Sequence, residues 1–173
     1  GYPGAMMIPR DSPVLAPGAT TRPPVEPPLA LPGTLRPAAV LGPPAYRQQV
    51  VLSSSGAMMM GGGFLINGRS FDMDRVDLQT VVGRVETWDL VNATMMDHPI
   101  HIHGTQFQVV GGTLGGAGGA VADCAWFDTV NVPAGRTVTI RTRQDSPGKR
   151  MFHCHILPHE DAGMMAVLEV MAG

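Results

Sequence analysis

All six histidines of this 173-residue chain lie in two short windows, residues 98–103 and 153–159. Each window contains a pair of histidines separated by one residue: His101 and His103 in the first, and His153 and His155 in the second. Residues i and i+2 of a β-strand project from one face of the strand, whereas residue i+1 projects from the other face. A fold built on strands would therefore aim each pair in one direction and turn Cys154 away from the second pair.

This clustering indicates metal binding, because histidines that only fill a core or cover a surface would be scattered along the chain. On the side of Cys154, His159 and Met164 follow on a loop that can curl back, and His98 can supply a further ligand. One thiolate, two imidazoles and a weak thioether form the ligand set of a blue-copper electron-transfer site. Zinc would accept the cysteine and the histidines, but the methionine argues against it.

On the opposite side, the two His-x-His pairs offer four imidazoles. Nitrogen ligands of this kind suit copper ions that bind oxygen species. Four imidazoles are enough for a pair of copper ions only if other ligands help.

From Tyr46 onward, short runs rich in β-branched residues alternate with Gly, Asn, Asp and Pro, which is typical of an all-β sandwich. The predicted strands are Gln49 to Leu52, Arg84 to Val91, Phe107 to Val110, Thr129 to Val132, Thr137 to Thr142 and Met165 to Val170. Residues 136–141 alternate polar and apolar side chains, as a half-buried antiparallel strand does. The glycines of residues 61–63 and 111–119 predict surface loops.

The first 45 residues differ from the rest of the chain in composition, since twelve of the sixteen prolines lie between Pro3 and Pro44. Proline neither propagates a helix nor donates to a sheet ladder, so this segment is predicted to be extended. Two interpretations stay open: a disordered tail, or a linker that follows another domain and lies over its surface. We therefore predict a Pro-rich connector over residues 1–45 and one domain over residues 46–173.

The charge of the chain excludes some partners. A formal net charge of −2 gives no broad cationic surface for nucleic acid or anionic membranes. No stretch approaches the roughly 18 apolar residues of a spanning helix, and there is neither a signal peptide nor an initiator methionine. The missing methionine suggests a fragment or a processed chain.

The remaining sulfur-containing residues have less specific interpretations. Cys124 is predicted to be a buried free thiol that does not pair with Cys154, since a disulfide would remove the copper thiolate. Methionine clusters at residues 6–7, 58–60 and 95–96 could offer thioethers to Cu(I), or could fill gaps in the core and sit in loops.

The segments HPIHIHG and HCHILPHEDAGMM resemble the C-terminal copper motifs of multicopper oxidases, the family of laccases, bilirubin oxidases and bacterial cuprous oxidases. FLINGRSFDMD, WDLVN, HGTQFQVV and FDTVNVPAG extend the resemblance over nearly everything from about Tyr46 to the C-terminus. The resemblance implies a Greek-key cupredoxin sandwich, the third domain of such an enzyme. The Pro-rich segment resembles the connector between the second and third cupredoxin domains.

The resemblance also implies roles for individual residues. His98, Cys154, His159 and Met164 would hold type 1 copper. His101 would serve type 2 copper, and His103, His153 and His155 the type 3 pair, with up to four copper ions in a complete enzyme. Single electrons from phenols or Cu(I) would pass through His153, Cys154 and His155 to the cluster, where O2 is reduced to water. Glu160 matches an acidic position that helps deliver protons, although a solvated loop carboxylate is an equally good interpretation.

The chain departs from the family in one respect, because a multicopper oxidase uses four His-x-His pairs and this sequence contains two. The resemblance therefore implies an N-terminal cupredoxin domain, in the same protein or a companion chain, that supplies the missing imidazoles. Two alternatives remain: a mononuclear blue-copper electron carrier, and a Met-rich copper-resistance binding protein. By resemblance, the location is periplasmic or secreted.

Overall fold

The computed structural model describes residues 39–56, 62–112 and 125–173. All the described residues belong to one compact unit, Arg36–Gly173. Several predictions lie outside the described residues: most of the connector, Cys124, the methionines of residues 6–7 and 58–60, and most of the glycine-rich run of residues 111–119. Among the described residues, no helix is both long and apolar enough to cross a membrane.

Eleven strands and one short helix make up the described part of the chain. They are β1 (Tyr46–Ser54), β2 (Phe64–Ile66), β3 (Leu78–Val81), β4 (Val85–Asn92), β5 (His98–Ile102), β6 (Phe107–Gly112), β7 (Trp126–Phe127), β8 (Thr129–Val132), β9 (Thr137–Arg143), β10 (Gly148–Cys154), α1 (Leu157–Asp161) and β11 (Met165–Met171). One sheet has the order β2-β1-β4-β9-β6-β7 and the other β3-β11-β10-β5-β8. All neighbouring strands are antiparallel except the β1–β4 and β11–β3 pairs.

The two sheets form a sandwich, which confirms the predicted all-β class. Their inner faces share one hydrophobic core, in which Trp88 of the first sheet meets Phe152 of the second with ring centroids 6.0 Å apart. Strand β9 follows the predicted alternation, since Val138, Ile140 and Thr142 are buried while the residues between them are not. This alternation turns the apolar side chains of each strand toward the core.

The run of residues 111–119 was predicted to be a loop, and that prediction is wrong at its first two residues. Gly111 and Gly112 end strand β6 and pair with β9 after a bulge that follows Val109. Gly112 has a φ of 98°, and a Cβ there would overlap the backbone of Thr137 and Val138. Glycine is needed at this position because the two backbones approach too closely for a side chain.

At the end of the sandwich where β4 begins, the carboxylate of Glu86 is 1% exposed. Its Oε1 accepts hydrogen bonds from the hydroxyl of Thr80 and from Nε of Arg84 at 2.7 Å. Its Oε2 accepts from the indole N–H of Trp88 at 2.8 Å and from Nε2 of Gln48 at 3.0 Å. A buried carboxylate is tolerated when its oxygens are paired in this way, so Glu86 ties β1, β3 and β4 together.

Strands β5 and β10 lie side by side in the five-stranded sheet and bring the two histidine windows together. In their register His153 is paired with His101, and Cys154 with Ile100. Paired residues project from the same face of the sheet, so His153 shares a face with His101. Neighbouring residues of one strand project from opposite faces, so Cys154 points away from His153.

Candidate metal centre

Three potential ligand atoms converge where β10 ends against the core. The Sγ atom of Cys154 lies 3.6 Å from Nδ1 of His98 and 3.6 Å from Nδ1 of His159. The two Nδ1 atoms lie 3.2 Å apart. Within the described part of the chain, these residues are the one group of three or more His, Cys, Asp or Glu whose ligand atoms all lie within 4.8 Å of one another.

The chain segment from α1 to β11 closes over this group. His159 lies in α1, a short helix that replaces the predicted simple loop and has proline in its first turn. The backbone N–H of Met164 donates to the His159 carbonyl at 2.9 Å, and the Met164 carbonyl accepts from the N–H of Cys154 at 3.0 Å. Met164 is fully buried, so the residue predicted as the weak thioether ligand lies in the core beside Cys154.

Phe64 of β2 packs against both imidazoles of this group. Its ring centroid lies 4.1 Å from that of His159 and 5.6 Å from that of His98. The aromatic ring excludes water and restricts the orientation of the histidines. Sequence reasoning assigned no role to Phe64, although it begins the FLING motif that carries part of the family resemblance.

Burial keeps these groups uncharged before a metal binds. It lowers the pKa of His98 to about 4, assisted by the neighbouring His159 and opposed by Asp97. Burial likewise lowers the pKa of His159 and raises that of the Cys154 thiol. The imidazoles are therefore neutral and ready to bind a metal near pH 7, whereas the thiol must lose its proton when the metal enters.

The pKa of His98 makes the stability of the metal-free protein depend on pH. Because the folded-state pKa lies below the ordinary value of 6.5, the unfolded state binds the proton first as the pH falls. We expect the free energy of unfolding to fall between about pH 6.5 and pH 4, by an amount on the order of 1–3 kcal/mol from this residue. Urea titrations of the metal-free protein at several pH values measure the effect. An equal loss in His98→Gln would contradict this assignment.

The other histidines form a second group on the opposite face of β10. The ring centroids of neighbouring members lie 5.0 to 5.8 Å apart. The members of this group, called the histidine cluster below, are His101, His103, His153 and His155. Nε2 of His103 lies only 3.0 Å from Nε2 of His153. Two imidazole lone pairs at this distance repel each other unless a proton or a metal ion lies between them, so the arrangement fits metal binding.

Two members of the histidine cluster are oriented by acceptors behind them. Nδ1 of His101 lies 2.9 Å from the carbonyl oxygen of Asp128. Nδ1 of His153 lies 3.1 Å from the Cys154 carbonyl oxygen and 3.1 Å from Oε2 of Glu160. A carbonyl oxygen only accepts, so both Nδ1 atoms carry protons and both Nε2 atoms are left free to bind a metal.

Glu160 is 24% exposed, and its contact with His153 places it behind the histidine cluster. Glu160 lies in α1 rather than in a loop, and its side chain is partly exposed. The carboxylate can hold the His153 ring, and it lies where it can exchange protons with solvent.

The described residues match known proteins over most of their length. A family model described as "Multicopper oxidase" matches residues 43–173. The chain is similar to the "Multicopper oxidase mco" of Staphylococcus aureus, with 39% identity over 109 residues. It is also similar to a laccase of Bacillus subtilis, with 32% identity over 123 residues. Each alignment covers 61% of this chain and 24% of the relative, so the chain spans about a quarter of the length of these relatives.

Solved structures show the same similarity. The structure superposes on a multicopper oxidase of Campylobacter jejuni, described as a metallo-oxidase, with a TM-score of 0.74 and 38% sequence identity. The match covers 84% of this chain and 34% of that one. The fold around both histidine groups is therefore shared with a known copper enzyme.

Proposed function

The chain belongs to the multicopper oxidase family, and we propose that it forms the C-terminal copper-binding domain of an oxidase that couples one-electron oxidation of a reductant to reduction of O2. Copper would supply both the electron transfer at the Cys154 group and the oxygen chemistry at the histidine cluster. The observation that carries the proposal is the pair of ligand groups on the two faces of β10, joined by the peptide bond between His153 and Cys154.

For the first group we propose His98, Cys154, His159 and Met164 as ligands. The two Nδ1 atoms and the Sγ atom lie 3.2 to 3.6 Å from one another, so they would be able to bind one copper ion together, with the thioether of the buried Met164 as a weaker ligand. The chain itself excludes water through Phe64 and holds the imidazoles uncharged. Cys154 then offers the shortest covalent path to the histidine cluster.

For the second group we propose that His101, His103, His153 and His155 provide part of a three-copper cluster. The cluster lies on an outer face of the sandwich, and His155 is exposed. Beside it a cavity of about 420 Å³ is lined by Phe71, Met73, His103, Met151 and Val167, among other residues. Exposed apolar side chains next to incomplete ligands support a partner at this face: an N-terminal cupredoxin domain that supplies the remaining imidazoles.

We further propose that residues 46–173 are the third cupredoxin domain and residues 1–45 its connector. The end of the connector supports this assignment, because Leu41 is buried and its N–H donates to Oε1 of Gln108 at 2.8 Å. Nε2 of Gln108 donates in turn to the carbonyl of Ala39 at 2.8 Å. The segment just before β1 is thus held against β6 as a linker lying over a domain surface would be.

The reductant is proposed to be Cu(I) or a phenol. Met95 is 95% exposed on the loop that precedes His98, and Met96 packs partly against the core. An exposed thioether this close to the first ligand group favours Cu(I), for which soft sulfur has high affinity. Steady-state oxidation rates with Cu(I) and with a phenol, measured side by side, discriminate between the two reductants. The proposed periplasmic or secreted location is tested by fractionating the source cells.

An oxidase differs from a simple electron carrier in its need for the histidine cluster. In the complete protein, His155→Gln is expected to retain the visible absorption of the copper thiolate while oxygen uptake falls to background. The reason is that the His155 ring packs against His101 and His153, the histidines that project away from Sγ of Cys154. Oxygen-electrode traces and absorption spectra of the same samples measure both properties.

The control for this experiment is Met171→Leu, which changes an exposed residue at the end of β11, outside both ligand groups and the cavity beside the histidine cluster, and should leave both properties intact. Normal oxygen uptake in His155→Gln would refute the proposed role of the cluster. Copper bound only at the Cys154 group, without oxygen uptake in the wild type, would favour the mononuclear carrier. Copper retained after loss of both ligand groups would favour a Met-rich binding protein.

A further inference from the structure

The buried residue Asn92, at the end of β4, has a side-chain orientation fixed by its surroundings. Its Nδ2 donates to the carbonyl oxygen of Met96 at 2.7 Å and to that of Val132 at 2.9 Å. Carbonyl oxygens only accept, so the amide NH2 must face them. The Oδ1 atom of Asn92 therefore faces the opposite way, toward Thr94.

The hydroxyl of Thr94 has two oxygen acceptors within hydrogen-bonding distance. Its Oγ1 lies 2.8 Å from Oδ1 of Asn92 and 3.1 Å from the Met96 carbonyl oxygen. Both oxygens are acceptors, so whichever of them Thr94 bonds takes its only proton. When it donates to either of these oxygens, Thr94 acts only as an acceptor toward its other neighbours.

That other neighbour is the fully buried imidazole of His98, whose Nε2 lies 2.7 Å from Oγ1 of Thr94. With Nδ1 of His98 in the ligand role proposed above, Nε2 carries the ring proton and donates it to Oγ1 of Thr94. The unprotonated Nδ1 is then the nitrogen that faces Sγ of Cys154 and Nδ1 of His159. This tautomer is held by Thr94, which contacts the His98 ring on the nitrogen away from Cys154, and by Asn92, which contacts Thr94.

We propose that Asn92 and Thr94 form a positioning relay that locks His98 in the tautomer and orientation needed to bind copper and tunes the redox potential of that copper. The inference rests on the proposed copper site. A hydrogen bond from Nε2–H to an acceptor increases the electron density of the ring, which favours binding of Cu(II) over Cu(I). The hydroxyl of Thr94 therefore holds the potential lower than it would be without it.

Within the described residues, His159 has no such acceptor. Its ring is half-buried and contacts Cys154, His98 and Phe64. The two imidazoles of one site are therefore inequivalent: one N–H is buried and hydrogen-bonded, whereas the other is not. This difference gives a measurement that needs no variant.

The decisive variants are Thr94→Val, which removes the hydroxyl with little change of shape, and Thr94→Ser, which retains it. In the complete copper-loaded protein, redox titration of the copper-thiolate absorption should show that Thr94→Val lowers the ratio of Cu(II) to Cu(I) affinity roughly three- to tenfold, the worth of one hydrogen bond. The potential rises accordingly. Thr94→Ser should behave as the wild type. An unchanged potential in Thr94→Val, or an equal shift in both variants, would overturn the relay.

The second measurement follows exchangeable protons of the coordinating imidazoles by electron–nuclear double resonance after transfer of wild-type protein to D2O. One of the two imidazole N–H protons should exchange at least about tenfold more slowly than the other, because a hydrogen-bonded buried group must open before it exchanges. Equally fast exchange of both would overturn the relay. Absence of any copper-thiolate absorption in the wild type would instead overturn the copper site itself, and the relay with it.

Discussion

Replacing Cys154 with serine is expected to abolish both the intense visible absorption of the copper-loaded protein and its oxygen uptake. The thiolate is the one soft anionic ligand of the group formed with His98 and His159, and it is fully buried. Serine is similar in shape, but its hydroxyl neither ionises near neutral pH nor forms the strong covalent bond that gives copper thiolates their colour. Electrons that arrive at this group would also lose their path to His153.

The matched control is Cys124→Ser, the same substitution at the only other cysteine of the chain. It should leave the absorption and the oxygen uptake unchanged, because Cys124 is predicted to be a free thiol without a role in copper binding. Absorption spectra and oxygen-electrode traces of the two variants, compared at equal copper content, measure the effect. Visible absorption that survives in Cys154→Ser would remove Cys154 from the ligand set.

The second large effect is on stability, at the opposite end of the sandwich. Glu86→Ala is expected to lower the free energy of unfolding by about 2–4 kcal/mol. The substitution leaves the buried indole N–H of Trp88 and the hydroxyl of Thr80 without their acceptor. It also leaves a cavity between β1, β3 and β4. Urea denaturation at pH 7, followed by tryptophan fluorescence, measures the change.

Glu169→Ala is the control for this prediction. Glu169 also accepts a hydrogen bond from a glutamine on a neighbouring strand, Gln79 at 2.8 Å, but at an exposed position. Removing a carboxylate that water can replace should change stability by less than about 0.5 kcal/mol. Similar destabilisation by both substitutions would mean that the buried hydrogen bonds of Glu86 stabilise the fold no more than the exposed hydrogen bond of Glu169.

The sequence predicted the strands that have clear patterns. Apart from Arg84, the residues of the six predicted runs all lie in strands, and the spacing of His101, His103, His153 and His155 predicted a common face where the structure places them together. These predictions succeeded because each depends on the period of the strand, which a short sequence window contains. The same reasoning predicted that Cys154 faces away from its two histidine neighbours.

The features that were missed depend on contacts between distant segments. Strands β3 and β7 contain four and two residues, too few for an alternating pattern to appear. The role of Glu86 depends on Gln48, which is 38 residues away in the sequence. Thr94 sits only four residues before His98, but its role follows from the orientation of the Asn92 amide, which is set by the distant carbonyl of Val132.

The central claim is that one chain presents two copper-binding groups on the two faces of a single strand. The most direct test loads the complete protein anaerobically with Cu(I), admits air, and measures copper content, visible absorption and oxygen uptake together. We expect a copper thiolate, additional copper that is lost in a variant of the histidine cluster, and oxygen uptake. A single copper ion per protein with no oxygen uptake would contradict it.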